Sequence, residues 1–233
     1  MADYGALLAL PNGAAFITPQ STPLALYTAL SVSSQKINDG LAQANIVIPV
    51  PDTSQPVIPF VMASKPSQGG VALSSVLRAD GLEVSGNNII GNSQFTMTVY
   101  VFTFFQQPMP NPPYGMAVWD ENRRLILTHE TKVLTDMQTI GTWGNGGGIS
   151  IDVTLSGRWA IVPACCGQTL WQFNNGGPGG AIIPVASSFG AMFDGASTRI
   201  AGQPSSYPGG QAQAVGTINA GNPVIALEVS KYL

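Results

Sequence analysis

His129 is the only histidine in the chain, and it stands beside Glu130 and shortly before Asp136. An imidazole among carboxylates can act as a general base, but it needs a nucleophile or a metal to act on. No G-x-S-x-G elbow and no G-x-x-x-x-G-K-[ST] phosphate loop occurs. Cys165 and Cys166 are adjacent, and a bridge between neighbours is strained, so they read as two reduced thiols. One histidine and two adjacent cysteines fall short of the ligand set of a zinc site within one chain. The run Gly144-Asn145-Gly146-Gly147-Gly148 precedes a strand pattern and no lysine follows, so it reads as a hairpin tip and not a phosphate cradle. Two facing carboxylates could hydrolyse a glycosidic bond. Most of the 12 acids, however, sit in turn contexts such as Asp39-Gly40, Asp80-Gly81, Asp120-Glu121-Asn122 and Asp194-Gly195, which account for them without chemistry. The aromatic residues remain. Trp143 and Trp171 flank glycine-rich tips and, with Tyr207, could offer ring faces to a sugar, whereas Trp159 lies in an apolar run and reads as core. The sequence thus predicts no catalytic residue, no cofactor and no metal ligand, and it nominates Trp143, Trp171 and Tyr207 as a binding surface.

Strands must position these residues. In ISIDVTLS, residues 149–156, Ile149, Ile151, Val153 and Leu155 alternate with Ser150, Asp152, Thr154 and Ser156, the period of a half-buried strand. FTMTVYVFTFF, residues 95–105, is rich in β-branched and aromatic types. LALYTALSV, residues 24–32, has helical propensity, but its alternation favours a strand. Asn12-Gly13, Asp39-Gly40 and Asp80-Gly81 mark turns. The expected fold is all-β, with antiparallel sandwiches and little helix.

The chain also reads as two related halves. Residues 4–24 lie on 114–134 without a gap, so that Tyr4, Gly5, Asn12, Thr18 and Leu24 fall on Tyr114, Gly115, Asn122, Thr128 and Leu134. Each segment is two apolar runs around an Asn-centred break, a hairpin pattern. IVIPV at 46–50 resembles ISIDV at 149–153, VIPFVMAS at 57–64 is matched by WAIVPACC at 159–166, and FTMTVYVF after Gly91-Asn92 resembles IALEVSKY after Gly221-Asn222. Anchors in one order with drifting offsets suggest duplication with loop insertions. The expectation is a first β-sandwich module at 1–108 and a second at 109–233, joined through the proline-rich QPMPNPP at 107–113. The second would carry a long Gly/Pro-rich insertion at 174–216, too long for a bare connector, that forms strands of its own or lies against another subunit. Tyr4-Gly5 and Tyr114-Gly115 would start each module, with glycine allowing close backbone approach and tyrosine packing on a neighbouring strand.

Composition narrows the function. Charged residues are 9% of the chain, against about 25% in an ordinary protein, while the hydrophobic share is an ordinary 45%. Ample Val, Ile, Leu and Phe argue against disorder, and the breaks by glycine and proline leave no apolar stretch of about 20 residues for a membrane-spanning helix. With a net charge of −3 and only Arg123-Arg124 as a basic pair, nucleic acid is not an expected partner. MADYGALLALPNGA lacks the basic start and long apolar core of a secretory signal, and reduced cysteines fit synthesis in a cytoplasm. Surface this poor in charge suits a subunit that assembly covers.

The opening Met1-Ala2-Asp3-Tyr4-Gly5, the break at Pro11-Asn12-Gly13 and the following Phe16-Ile17-Thr18 resemble small structural proteins encoded beside the tail-tip and tail-fibre genes of long-tailed bacteriophages. Those begin M-x-D-Y-G or carry Y-G-x-x-V-x-[ND]-x-x-G early. Tyr114 to Arg123 is similar, with Arg123 where the pattern has glycine. The resemblance implies a virion component near the tail tip, baseplate or fibre, made in the host cytoplasm and binding other virion proteins as a homo-oligomer, and it supplies no catalytic residues. A receptor- or carbohydrate-binding tip using Trp143, Trp171 and the 174–216 segment, and a capsid decoration protein, are the alternative readings.

Overall fold

A computed structural model describes residues 22–90, 93–173, 180–209 and 212–233, and the backbone alone at 8–9 and 15–17. Tyr4, Gly5, Asn12-Gly13 and Gly91-Asn92 lie outside the described residues. The first half forms β1 (Leu8–Ala9), β2 (Ala15–Ile17), β3 (Ala25–Ser33), β4 (Gln35–Asn38), β5 (Leu41–Ile48), β6 (Val57–Ser64), β7 (Ala72–Arg78), β8 (Gly81–Asn88) and β9 (Thr96–Thr103). The second forms β10 (Ala117–Trp119), β11 (Leu125–Thr128), β12 (Gln138–Ile140), β13 (Asp152–Ser156), β14 (Trp159–Ile161), β15 (Cys165–Phe173), β16 (Ile182–Phe193), β17 (Ser197–Pro204), β18 (Ala212–Asn219) and β19 (Val224–Glu228). Among the described residues, helix is confined to single 3-10 turns at Gly148–Ser150 and Ser230–Tyr232. The protein is all-β, as its alternation and β-branched content predict.

One strand order occurs in both halves. In the first, β9 lies antiparallel between β3 and β6, and β8 lies antiparallel between β5 and β7, with β4 beyond β5. In the second, β19 lies between β12 and β14, and β17 lies between β13 and β16. The pairing orders β3-β9-β6 and β5-β8-β7 of the first half thus have counterparts in β12-β19-β14 and β13-β17-β16 of the second. Of the sequence anchors, 57–64 and 159–161 lie on β6 and β14, and 96–102 and 225–228 on β9 and β19, whereas 46–48 lies on β5 and its counterpart 149–151 precedes β13. The second half adds β15 and β18, which pair with each other and continue the sheet beyond β16.

The hairpins at the start of each half agree in register. Leu8 pairs with Ile17 and Ala9 with Ala15, with a bulge between them. Val118 pairs with Leu127 and Trp119 with Leu125, with a bulge at the same step. These are the pairs that the alignment of 4–24 on 114–134 superposes.

The halves share a core. Val61 of β6 bridges Ile161 of β14, and Ala63 and Ser64 run parallel to Met192 and Phe193 of β16. At the other edge Ala25 bridges Val133, Leu26 N–H donates to the Lys132 carbonyl at 2.8 Å and Leu134 N–H to that of Leu24 at 2.9 Å. One continuous apolar cluster runs from Ala42 to Tyr232 and includes Phe60, Val61 and Phe102 of the first half with Trp159, Phe189 and Leu227 of the second. Full burial of each large side chain contributes about 1.5–3 kcal/mol. Small residues on β8 make room for large ones opposite: a methyl group on Gly86 would sit 3.1 Å from the Phe95 ring and 3.3 Å from the Met97 sulfur.

Two expectations need correction. Residues 149–156 are not one strand, because the chain turns through Gly148–Ser150 and only Asp152–Ser156 pair, with β17. Gly148 has φ 59, and the Ile149 N–H is taken by Asn219 Oδ1 at 3.1 Å, which ends the extended run. The alternation itself holds: Ile151 is buried and Ile149, Val153 and Leu155 are half-buried, while Ser150, Asp152, Thr154 and Ser156 are exposed. Tyr114, expected to pack on a strand, is 72% exposed. Gly115 does allow a close approach, since at φ 110 its Cα lies against the His129 ring.

Candidate functional site

The residues with the best chemical credentials are occupied with local structure. His129 is partly exposed, with Nε2 3.9 Å from Glu130 Oε1, while Asp136 pairs with Lys231. Cys165 and Cys166 are free thiols; burial, with Cys165 beside it, pushes the Cys166 thiol up to about 12, so it stays protonated at neutral pH. Gly144-Asn145-Gly146-Gly147-Gly148 closes a turn, with Gly144 N–H donating to the Gly221 carbonyl at 2.8 Å and Gly148 N–H to that of Asn222 at 2.7 Å. Among the described residues no group of three or more His, Cys, Asp or Glu side chains is gathered in one place.

A cavity of about 560 Å³ has two acids on its wall, Asp52 and Asp120. Both are committed to their own turns. Asp52 Oδ1 accepts from the Ser54 hydroxyl at 2.6 Å and the Ser54 N–H at 2.9 Å, and these bonds hold its carboxyl below the usual range. Asp120 Oδ1 accepts from Arg124 N–H at 2.7 Å. Asp39, Glu83, Asp136, Asp152 and Asp194 are likewise lowered, the first four by side-chain bonds to Lys36, Arg78, Lys231 and Arg199 respectively, and Asp194 by the Ser197 and Ala196 N–H groups. Acids held in this way stay ionised and are poor proton donors at neutral pH.

The nominated aromatics divide. Trp143 is 79% exposed on the turn after β12. Trp171 is only 9% exposed, because β18 and the 205–209 segment cover it, and Tyr207 meets it edge-on with ring centroids 5.1 Å apart. Tyr207, 40% exposed, donates its hydroxyl to the Ala212 carbonyl at 3.3 Å and forms the wall of a cavity of about 440 Å³ between the halves. Trp159 is buried, as its apolar run predicts.

The cavity floor is apolar: Leu41 and Ile89 line it, and both pack with Trp171 in a small satellite cluster. Its polar groups are neutral amides and hydroxyls, from Gln43 and Asn87 on neighbouring strands and from Ser205 and Ser206. Asn87 Nδ2 donates to the Ser205 carbonyl at 3.3 Å, while among the described residues its buried Oδ1 has no partner and Trp171 Nε1, behind the wall, has none either. Adjacent Asn88 is the contrast. It is fully buried and fully used, donating to the Gln68 and Ser93 carbonyls at 2.9 Å each and accepting from Ile90 N–H at 3.1 Å. Sequence reading missed Gln43, Asn87 and Ser205. The available signal was Asn87-Asn88 inside a strand, where asparagine is disfavoured.

A second feature is a broad uncharged surface. The adjacent strands β16, β15 and β18 carry no charged residue, and none occurs anywhere between Ile200 and Leu227. Among the described residues β18 pairs only with β15, leaving its other edge open, and Gln213 to Asn219 are all exposed. Val215 and Ile218 on β18 and Ile182 and Ile183 on β16 are exposed apolar side chains.

No known protein family, curated protein or solved structure matches the chain. None of the described helices is long and apolar enough to cross a membrane.

Proposed function

We propose that this chain is a structural subunit of a bacteriophage virion, a tail-tip, baseplate or fibre-associated component built from two copies of one module. The observation that carries the reading is the uncharged β16-β15-β18 surface ending in an open strand edge. Free proteins usually blunt such an edge with lysine, proline or a bulge. Here the only such device is a bulge at Val215, between Ala214 and Gly216, and the strand sequence AQAVGTIN has no charge. A subunit whose neighbours pair with this edge has no need of charge there, whereas a free protein risks self-association. The resemblance of Tyr114 to Arg123 to tail-associated proteins adds to this. Arg123, where that pattern has glycine, adopts φ 59, the left-handed conformation that glycine favours.

Proteomics and a density map of intact particles test the proposal, together with sedimentation of the purified chain. The expected result is a particle-bound chain that self-associates or binds another virion protein in solution, with association weakened in Val215→Lys/Ile218→Lys. A chain absent from particles, and monomeric at high concentration, would overturn it.

A further inference from the structure

We infer that the cavity walled by Tyr207 is a binding site for an uncharged sugar ring, with an N-acetylated hexosamine as the best fit. The site stands apart from the virion proposal, since it depends only on the cavity and not on where the subunit is placed. A sugar ring presents an apolar C–H face and a rim of hydroxyls. It therefore needs one aromatic or apolar wall and several neutral hydrogen-bonding groups. Tyr207 supplies a partly exposed ring held edge-on by Trp171, so it meets a ligand without loss of rotamer freedom. Leu41 and Ile89 offer the apolar floor that an acetamido methyl would fill.

The amides of Gln43 and Asn87 stand on paired strands at one register position. The Gln43 side chain has no hydrogen-bond partner among the described residues, and the Asn87 side chain has used its donor but not its acceptor there. A buried acceptor without a donor costs stability. A small rotation of the Asn87 amide toward a ligand N–H or O–H would recover that cost. Among the described residues no charged side chain lines the cavity, which disfavours sialic and uronic acids relative to neutral sugars. With a volume of about 440 Å³, the cavity holds one ring and part of a second, which suits either a free sugar or a residue of a surface polysaccharide.

Saturation-transfer NMR and calorimetry on the full chain test this with N-acetylglucosamine, its β-1,4-linked trimer, glucose and N-acetylneuraminic acid. N-acetylglucosamine is expected to bind with a Kd on the order of 1 mM. Tyr207→Ala should weaken it about tenfold. Ser206→Trp, at an exposed position on the cavity rim, should abolish binding while circular dichroism stays unchanged. Tighter binding of the trimer supports the site and identifies a polysaccharide as the source; equal affinities support it with a single ring as the unit. Absence of transfer to every neutral sugar, equal binding of N-acetylneuraminic acid, or unaltered binding in Ser206→Trp would each overturn the assignment.

Discussion

Phe102 and Tyr232 meet edge to face, ring centroids 5.0 Å apart, so the last strand of the first half is locked to the final turn of the second. Phe60 continues the ladder at 5.7 Å from Phe102. The Tyr232 hydroxyl donates to the Val133 carbonyl at 2.9 Å and accepts from Thr135 N–H at 3.1 Å, pinning the segment that pairs with β3. Tyr232→Phe is expected to cost about 1 kcal/mol and Tyr232→Ala about 3–5 kcal/mol in chemical denaturation. Equal stability of both variants and the parent would show that the end of the chain does not close the core.

A single apolar cluster across both halves implies cooperative unfolding. Calorimetry should show one transition. Gly190→Ala provides a local probe, because a methyl group there would run into the carbonyl of Val71 across the junction of the halves. That variant should lower the single transition without splitting it. Two separate transitions in the parent chain would favour independently folding modules.

Arg123 adopts φ 59 in the β10–β11 turn, and a non-glycine residue there costs about 1 kcal/mol. Its N–H donates to the Asp120 carbonyl at 3.0 Å, a bond that any residue preserves. Arg123→Gly is therefore expected to raise stability by about 0.5–1 kcal/mol, read from the urea midpoint at constant slope.

Acid should destabilise the fold through its held carboxylates. Asp52, Asp136, Asp152 and Asp194 all have folded pKa values below the usual one, lowered by hydrogen bonds from Ser54, Lys231, Arg199 and the Ser197 N–H respectively. Because the folded value is the lower one, their contribution is present above the unfolded pKa of about 4 and is lost as pH falls through the folded values. All four are essentially exposed, so the effect is modest and salt-sensitive. Thermal scans should show a plateau above about pH 5 and a decline below about pH 4. A flat profile down to about pH 2 would contradict this.

The two cysteines should separate in reactivity. Cys165 is exposed and Cys166 is buried with its thiol pushed up to about 12. A disulfide reagent should label one thiol in the native protein and the second only after denaturant is added. Rapid labelling of both would place Cys166 nearer to solvent than its packing allows.

Much of the β architecture was legible because strand formation is local. Alternation in 149–156 and the β-branched run at 95–105 mark faces and strands from neighbouring residues alone. The hairpin at 117–128 was legible for the same reason, since its two runs and their turn are contiguous. The 174–216 segment could be narrowed only to strands or an assembly contact. The structure places β16, β17 and much of β18 there, because its apolar residues find cover on β15 and in the shared core.

Trp143 and Trp171 show the limit most clearly. Both stand beside glycine-rich tips, and nothing near them in the chain tells them apart. Trp171 is covered by Tyr207 and Ala212, which arrive from distant sequence, while Trp143 has no such cover among the described residues. Similarly, Gln43 and Asn87 become one site only when β5 pairs with β8 and the 205–209 segment folds over them. The order of residues by itself determined a charge-poor, all-β chain, because burial periodicity and composition are properties of short stretches. Which strands neighbour one another, which aromatic ring meets solvent and where a cavity opens were decided only by tertiary structure, because those depend on contacts between segments far apart in the chain.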